Sequence, residues 1–241
     1  MDDKKGVVFY TDSKLDESIA RVCREQIKRG FNGEIVSVSL KPLDFGKNIV
    51  LEGRVRSYPT MILSIITALE ASTKDYVFFC EHDVLYDPSH FKFTPPTDDI
   101  YYYNINNWRW GYPGDLAITY DGLHSLSQLC CNRKMALKHF KLRLEIARRT
   151  NLDEHRGREP RWARRWGYEP GTKPKKRGGI TDETFELWRS EYPNIDIRHG
   201  RNFTRSKLTL ADFKHPPNME SWREEKVTDI PGWSHIKEMF L

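Results

Sequence analysis

No run of apolar residues in this 241-residue chain approaches the ~20 needed to cross a bilayer. The first residues, Met1-Asp2-Asp3-Lys4-Lys5-Gly6, are charged and lead straight into an apolar segment, so no secretory signal is visible. Cysteine is scarce: Cys23, Cys80, Cys130 and Cys131 show no zinc-site spacing, and adjacent cysteines seldom bridge each other. Reduced, buried thiols in a cytoplasmic protein are the expectation. There is no internal repeat and no low-complexity tract. What is present is a polar globular composition, 38% hydrophobic and 30% charged, with 12% aromatics that can build a core or stack on sugars and bases.

The net charge of +5 is local. Residues 155–177 hold nine Lys or Arg against Glu159 and Glu169, a balance of +7 that leaves −2 for the rest. A patch of this kind says more about a partner than a diffuse excess does.

Hydrophobic periodicity orders the first half. Gly6 to Asp12 reads as a strand, Asp16 to Arg29 as an amphipathic helix stopped by Gly30, and Glu34 to Leu40 as a second strand. A Gly- and Pro-containing loop with Gly46, Gly53, Arg54 and Arg56 leads to a helix over Tyr58 to Ala71. Asp75 to Phe79 and Asp99 to Ile105 read as strands. The order β-α-β-α-β predicts a three-layer α/β domain with parallel strands. The second half is less regular. Asn106 to Tyr112 reads as an aromatic loop, Ser127 to Cys131 as a short strand and Asn132 to Arg149 as a basic helix. Residues 151 to 179 read as a long loop or lid, Thr181 to Ser190 as a short helix and Asn194 to Arg198 as a strand. The tail from Lys214 is expected to wrap the surface.

The most informative feature is Cys80-Glu81-His82-Asp83, directly after the apolar run Tyr76-Val77-Phe78-Phe79. Side chains at i and i+2 of an extended segment point the same way, so Glu81 and Asp83 are expected to reach one point past the strand end. Two hard oxygen ligands there suit Mg²⁺ or Mn²⁺ carrying a diphosphate. The alternative is a solvated turn, and His82, on the opposite face, reads as structural. Thr11 and Asp12 end the first strand, where an open α/β sheet keeps its ligand. Arg54 and Arg56 match phosphate oxygens or sit on a solvated loop. Trp108 and Trp110 are candidates for stacking on an acceptor sugar or base. Arg161, Arg164 and Arg165, interleaved with Trp162 and Trp166, read as a lid over a diphosphate, a cradle for a polyanion such as DNA, or a solvated loop.

A strand ending in Thr11-Asp12, an Arg-bearing loop before the second helix and a strand ending in Glu81-His82-Asp83 together resemble a GT-A glycosyltransferase of the broad family-2-like group. The likeness covers residues 6 to 131 and weakens over 132 to 241. The family pattern is Asp-x-Asp, and here Glu81 lengthens its first carboxylate by one methylene. The resemblance implies a Rossmann-like α/β/α sandwich with a mostly parallel sheet, forming one catalytic domain over 1–241. Residues 1–131 would be its nucleotide-sugar half and 132–241 an irregular acceptor side. It implies a nucleoside-diphosphate-sugar donor, with Thr11, Asp12, Arg54, Arg56, Glu81 and Asp83 around it, and Mn²⁺ or Mg²⁺ on Glu81, Asp83 and His199. Asp182 or Glu183 would be the base of an inverting enzyme. The acceptor stays open, with hydroxymethylated DNA among the candidates because some viral relatives of this fold modify such bases. Two other readings stand beside it. A nucleotidyltransferase can share the sandwich, but the Gly-rich loop expected after its first strand is replaced here by Thr11-Asp12-Ser13-Lys14-Leu15. A nucleic-acid-binding protein with a degenerate enzyme core is the third.

Overall fold

The computed structural model describes residues 2–123, 125–149, 170–171, 184–202, 206–213 and 217–241. Strand β1 (Lys5–Tyr10) leads to helix α1 (Glu17–Gly30), β2 (Glu34–Ser39), β3 (Lys47–Val50), helix α2 (Tyr58–Ala71) and β4 (Tyr76–Glu81). There follow β5 (Val84–Leu85), β6 (Tyr101–Asn104), β7 (Asn107–Gly111), β8 (Leu116–Thr119), β9 (Leu129–Asn132) and helix α3 (Arg133–Arg149). Strands β10 (Phe185–Trp188), β11 (Asn194–Arg198) and β12 (Arg223–Lys226) complete the described set.

Seven strands form one sheet in the order β10-β6-β9-β4-β1-β2-β3. Every pairing is parallel except those of β9, which runs against β4 and β6. This is the Rossmann-like α/β sandwich with a mostly parallel sheet. Its strands are apolar on both faces because both are covered. Val8, Tyr10, Val77 and Phe79 pack against Ile62, Ile65, Leu69 and Phe140 of α2 and α3. Val7, Phe9, Phe78 and Cys80 face the other way, toward Ile27 of α1 and the rings of Phe45 and Phe91.

Local chemistry sets the helix starts. Asp16 caps α1 by accepting from Ser18 N–H (3.0 Å). Ser57 caps α2 by accepting from Thr60 N–H (3.2 Å), with Pro59 in the first turn, where its missing N–H costs nothing.

Beside α1 lies a second sheet in the order β12-β8-β7-β11-β5, in which only β7 and β11 run parallel. Ile19, Val22 and Cys23 of α1 pack against its Trp110, Ile195 and Ile197. One helix therefore serves both sheets.

Three sequence expectations are corrected. Asn106 to Tyr112 is not a loop, because residues 107–111 pair with β8 and β11. The helix expected over Thr181 to Ser190 is strand over Phe185–Trp188, where parallel pairing with β6 overrides the local preference. The tail does more than wrap the surface: Val227, Ile230, Trp233 and Ile236 are buried under the small sheet. No helix among the described residues is long and apolar enough to cross a membrane.

Candidate functional site

In the large sheet β1 pairs with β2 on one side and β4 on the other. The chain thus leaves the carboxyl ends of β1 and β4 in opposite directions, and a crevice opens between them. The β1 end brings Thr11, Asp12 and Ser13, and the β4 end brings Glu81, His82 and Asp83. The carboxyl end of β11, from the small sheet, adds Arg198 and His199.

The two carboxylates at the β4 end part company. Tyr10 and Glu81 are register partners, and Tyr10 OH donates to Glu81 Oε1 (2.6 Å). Asp83 lies beyond the last residue of β4, in a turn, so the i, i+2 alternation no longer applies. Its Oδ2 meets His199 Nε2 at 3.3 Å and accepts from Asn202 Nδ2 at 2.7 Å. The same turn swings His82 inward. Among the described residues, His82, Asp83 and His199 offer ligand atoms all within 4.8 Å of one another. His82 Nδ1 stands 2.5 Å from Thr11 Oγ1, which also accepts from Ser13 N–H (3.0 Å). Ser13 holds a left-handed φ of 56°, and its Oγ accepts the N–H groups of Leu40 and Lys41 (3.2 Å each). That turn fixes Thr11 against His82.

Electrostatics separates the two acids. Burial first, and then the charge of Asp83, raise the Glu81 carboxyl to about 8. Burial also works against the Asp83 charge, but the His199 hydrogen bond and the neighbouring His82 and Arg198 outweigh it and hold that carboxyl below its usual value. The two shifts run in opposite directions, so Asp83 gives up its proton more readily than Glu81. Behind them Arg198 reaches both oxygens of Asp196 (3.2 Å each), and Arg109 Nε lies 3.8 Å from the same carboxylate.

The other candidates sort clearly. Asp12 Oδ2 pairs with Arg56 Nε at 2.8 Å, and Arg56 Nη2 donates to Arg201 O at 2.7 Å. Arg201 N–H donates to His199 Nδ1 (3.1 Å) and its guanidinium to Lys14 O. Thr11, Asp12, Arg56, Asp83 and His199 are therefore gathered at one crevice. Arg54 is exposed, with its backbone N–H on Leu51 O (3.3 Å). Trp108 and Trp110 need correction as acceptor platforms. Both are buried in the small-sheet core, Trp110 donates to Gly114 O (2.6 Å), and Arg223 covers the ring of Trp108. Arg161, Arg164, Arg165, Asp182 and Glu183 lie outside the described residues. Sequence reasoning missed His82 as a member of the cluster, along with Tyr10, Asp196, Arg198 and Asn202. Only Asn202 had a local signal, standing three residues after His199 across Gly200.

The donor set of one carboxylate and two imidazoles fits a divalent ion. Asp83 Oδ2 and His199 Nε2, 3.3 Å apart, have the spacing of neighbouring ligands on one ion with bonds of about 2.1 Å. Because His199 Nδ1 accepts from Arg201 N–H, the ring proton sits on Nε2 and faces Asp83. An ion at Nε2 would require that proton to move to Nδ1, in place of the Arg201 N–H contact.

No family model matches the chain, and no curated protein matches it. Solved structures do. The glycosyltransferase GlyE of Streptococcus pneumoniae TIGR4 aligns at 12% identity and a TM-score of 0.40, over 66% of this chain and 41% of that one. A glycosyltransferase involved in glycosylation of the PBCV-1 major capsid aligns at 11% and 0.41, over 77% and 81%. A Drosophila β-1,4-galactosyltransferase 7, in complex with manganese, UDP-Gal and xylobiose, aligns at 14% and 0.33, over 58% and 51%. This chain thus spans well under two thirds of GlyE and of the galactosyltransferase. Likeness at this level assigns no substrate to the chain.

Proposed function

We propose that this chain is a metal-dependent glycosyltransferase with a GT-A-like fold. It would move a sugar from a nucleoside-diphosphate sugar to an acceptor hydroxyl. One observation carries the reading: Asp83, joined by His82 and His199, stands at the strand-end crevice beside the Asp12–Arg56 pair. Asp83, His82 and His199 would hold the ion, and two imidazoles favour Mn²⁺ over Mg²⁺, which prefers oxygen and water. Such an ion supplies Lewis-acid stabilisation of charge on a departing diphosphate. Glu81 stands outside this cluster, with its Oε1 accepting from Tyr10 OH.

The chain's own residues do the rest. Asp12 would accept from the ribose or base, and Arg56 would lie along the diphosphate. As the acceptor oxygen bonds to the anomeric carbon, the bond to the diphosphate breaks and its electron pair leaves with the phosphate. In an inverting enzyme the acceptor proton would pass to Asp182 or Glu183. The basic segment 155–177, with Arg161, Arg164 and Arg165, suits a polyanionic acceptor such as hydroxymethylated DNA.

The test is thermal melting with UDP, GDP, CDP and TDP, each with Mn²⁺ or EDTA, on the wild type and on Asp83→Asn. One nucleotide is expected to raise the Tm only with metal, and only in the wild type. A wild type that responds to none of them overturns the reading.

A further inference from the structure

The side chain of Asn202 touches two of the three clustered residues and bridges them. Its Nδ2 donates to Asp83 Oδ2 (2.7 Å) and lies 3.3 Å from His199 Nε2. Its Oδ1 accepts the backbone N–H of His199 (2.6 Å), and its own N–H closes the 199–202 turn on His199 O (3.3 Å). The two ends of the carboxamide therefore do different work. The oxygen shapes the turn that carries His199. The nitrogen, bearing the positive end of the amide dipole, donates to the same Asp83 oxygen that faces His199 Nε2, at the place a cation held by both would occupy.

We propose that Asn202 is a positioning residue that acts as an exchangeable stand-in for a cation. Its amide nitrogen holds Asp83 and His199 at ligand spacing and must withdraw when an ion takes them both. The inference rests on the metal reading of this site. Its chemistry is electrostatic: Asp83 Oδ2 already meets both the Asn202 N–H and the His199 ring, so an ion taking that oxygen has to displace one of them. The other end is spared, because the His199 N–H needs only an oxygen acceptor, which Asp or Ser also supplies.

Two substitutions separate the ends. In Asn202→Asp an oxygen still accepts from His199 N–H, while the end facing Asp83 changes from donor to carboxylate. Mn²⁺ affinity by calorimetry is expected to rise about tenfold, because a second carboxylate then faces the ion. The Tm in EDTA is expected to fall below wild type and to recover with Mn²⁺. In Asn202→Ser the hydroxyl keeps the turn and the amide nitrogen is gone. Its Tm is expected to fall in EDTA and to match wild type once Mn²⁺ is bound, because the loaded site no longer uses that nitrogen.

Equal losses in EDTA and in Mn²⁺ for Asn202→Ser overturn the stand-in role and leave a structural brace. So does an Asn202→Asp chain that binds Mn²⁺ no better than wild type, provided that wild type binds it and Asp83→Asn does not. A wild type that takes up no Mn²⁺ fails at the earlier step and overturns the metal site itself.

Discussion

The two sheets of this chain are built on different terms. The large sheet takes β1, β2, β3 and β4 in parallel from the first 81 residues, joined by two helices, and β1 and β4 are apolar runs covered on both faces. The small sheet draws its strands from segments that begin at residues 84, 107, 116, 194 and 223, and its strands mix tryptophan with arginine, aspartate and glutamate. Its buried faces are polar where they approach the crevice: Asp196 and Arg198 have side chains only 8% exposed. A sheet of local α/β units makes a platform, and a sheet of distant segments can bring charge to its edge. The candidate site lies where they meet.

The comparison is most sharply tested at Trp110. It is 1% exposed on β7, in the core that the small sheet shares with α1, so Trp110→Ala is expected to cost about 3–5 kcal/mol. Because α1 packs on both sheets, urea unfolding should remain a single transition, moved to lower denaturant. Two separate transitions would show that the sheets are independent units. Next comes charge. Arg198→Met leaves Asp196 buried with only the more distant Arg109 beside it, and a loss of about 3–5 kcal/mol is expected in the same urea experiment.

The seam has a pH signature. His90 is buried, its Nδ1 stands 3.1 Å from the amide nitrogens of both Asn104 and Asn194, and its ring stacks on Trp188. It ties β6 and β10 of the large sheet to β11 of the small one. Burial lowers its pKa to about 3 from an ordinary 6.5. Between those values the unfolded chain takes a proton that the folded chain refuses, so stability falls as pH falls. The slope from this group is about 1.4 kcal/mol per pH unit. His90→Gln should remove that increment from a plot of unfolding free energy against pH, and an unchanged slope would place the titration elsewhere. Smallest is the exposed pair Arg21–Glu25 on α1, at 2.9 Å. Arg21→Met should cost at most about 0.5 kcal/mol, against several for Arg198→Met. Equal costs would erase the distinction between surface and seam.

Much of the platform was legible because its signals are local. Val7-Val8-Phe9 and Val77-Phe78-Phe79 are unbroken apolar runs, and α1 and α2 carry their caps at Asp16 and Ser57. The small sheet was not. Residues 107–111 alternate and charge like a loop until β8 and β11 supply partners, and Phe185–Trp188 becomes strand only because β6 lies beside it. Pairing between segments as far apart as residues 101 and 185, or 107 and 194, leaves no local mark.

The sequence by itself determined that acids would follow β4 and that Thr11 and Asp12 would follow β1, since apolar strands must stop where the sheet ends. Tertiary structure decided which of those groups share a point in space. Glu81, the last residue of β4, keeps the strand's alternation and turns to Tyr10, whereas His82 and Asp83 lie in the turn beyond it. His199 arrives on a strand of the other sheet, and Asn202 with it. Alternation governs a side chain's direction only while the backbone stays extended, and past the last hydrogen-bonded residue the packing of the whole chain takes over.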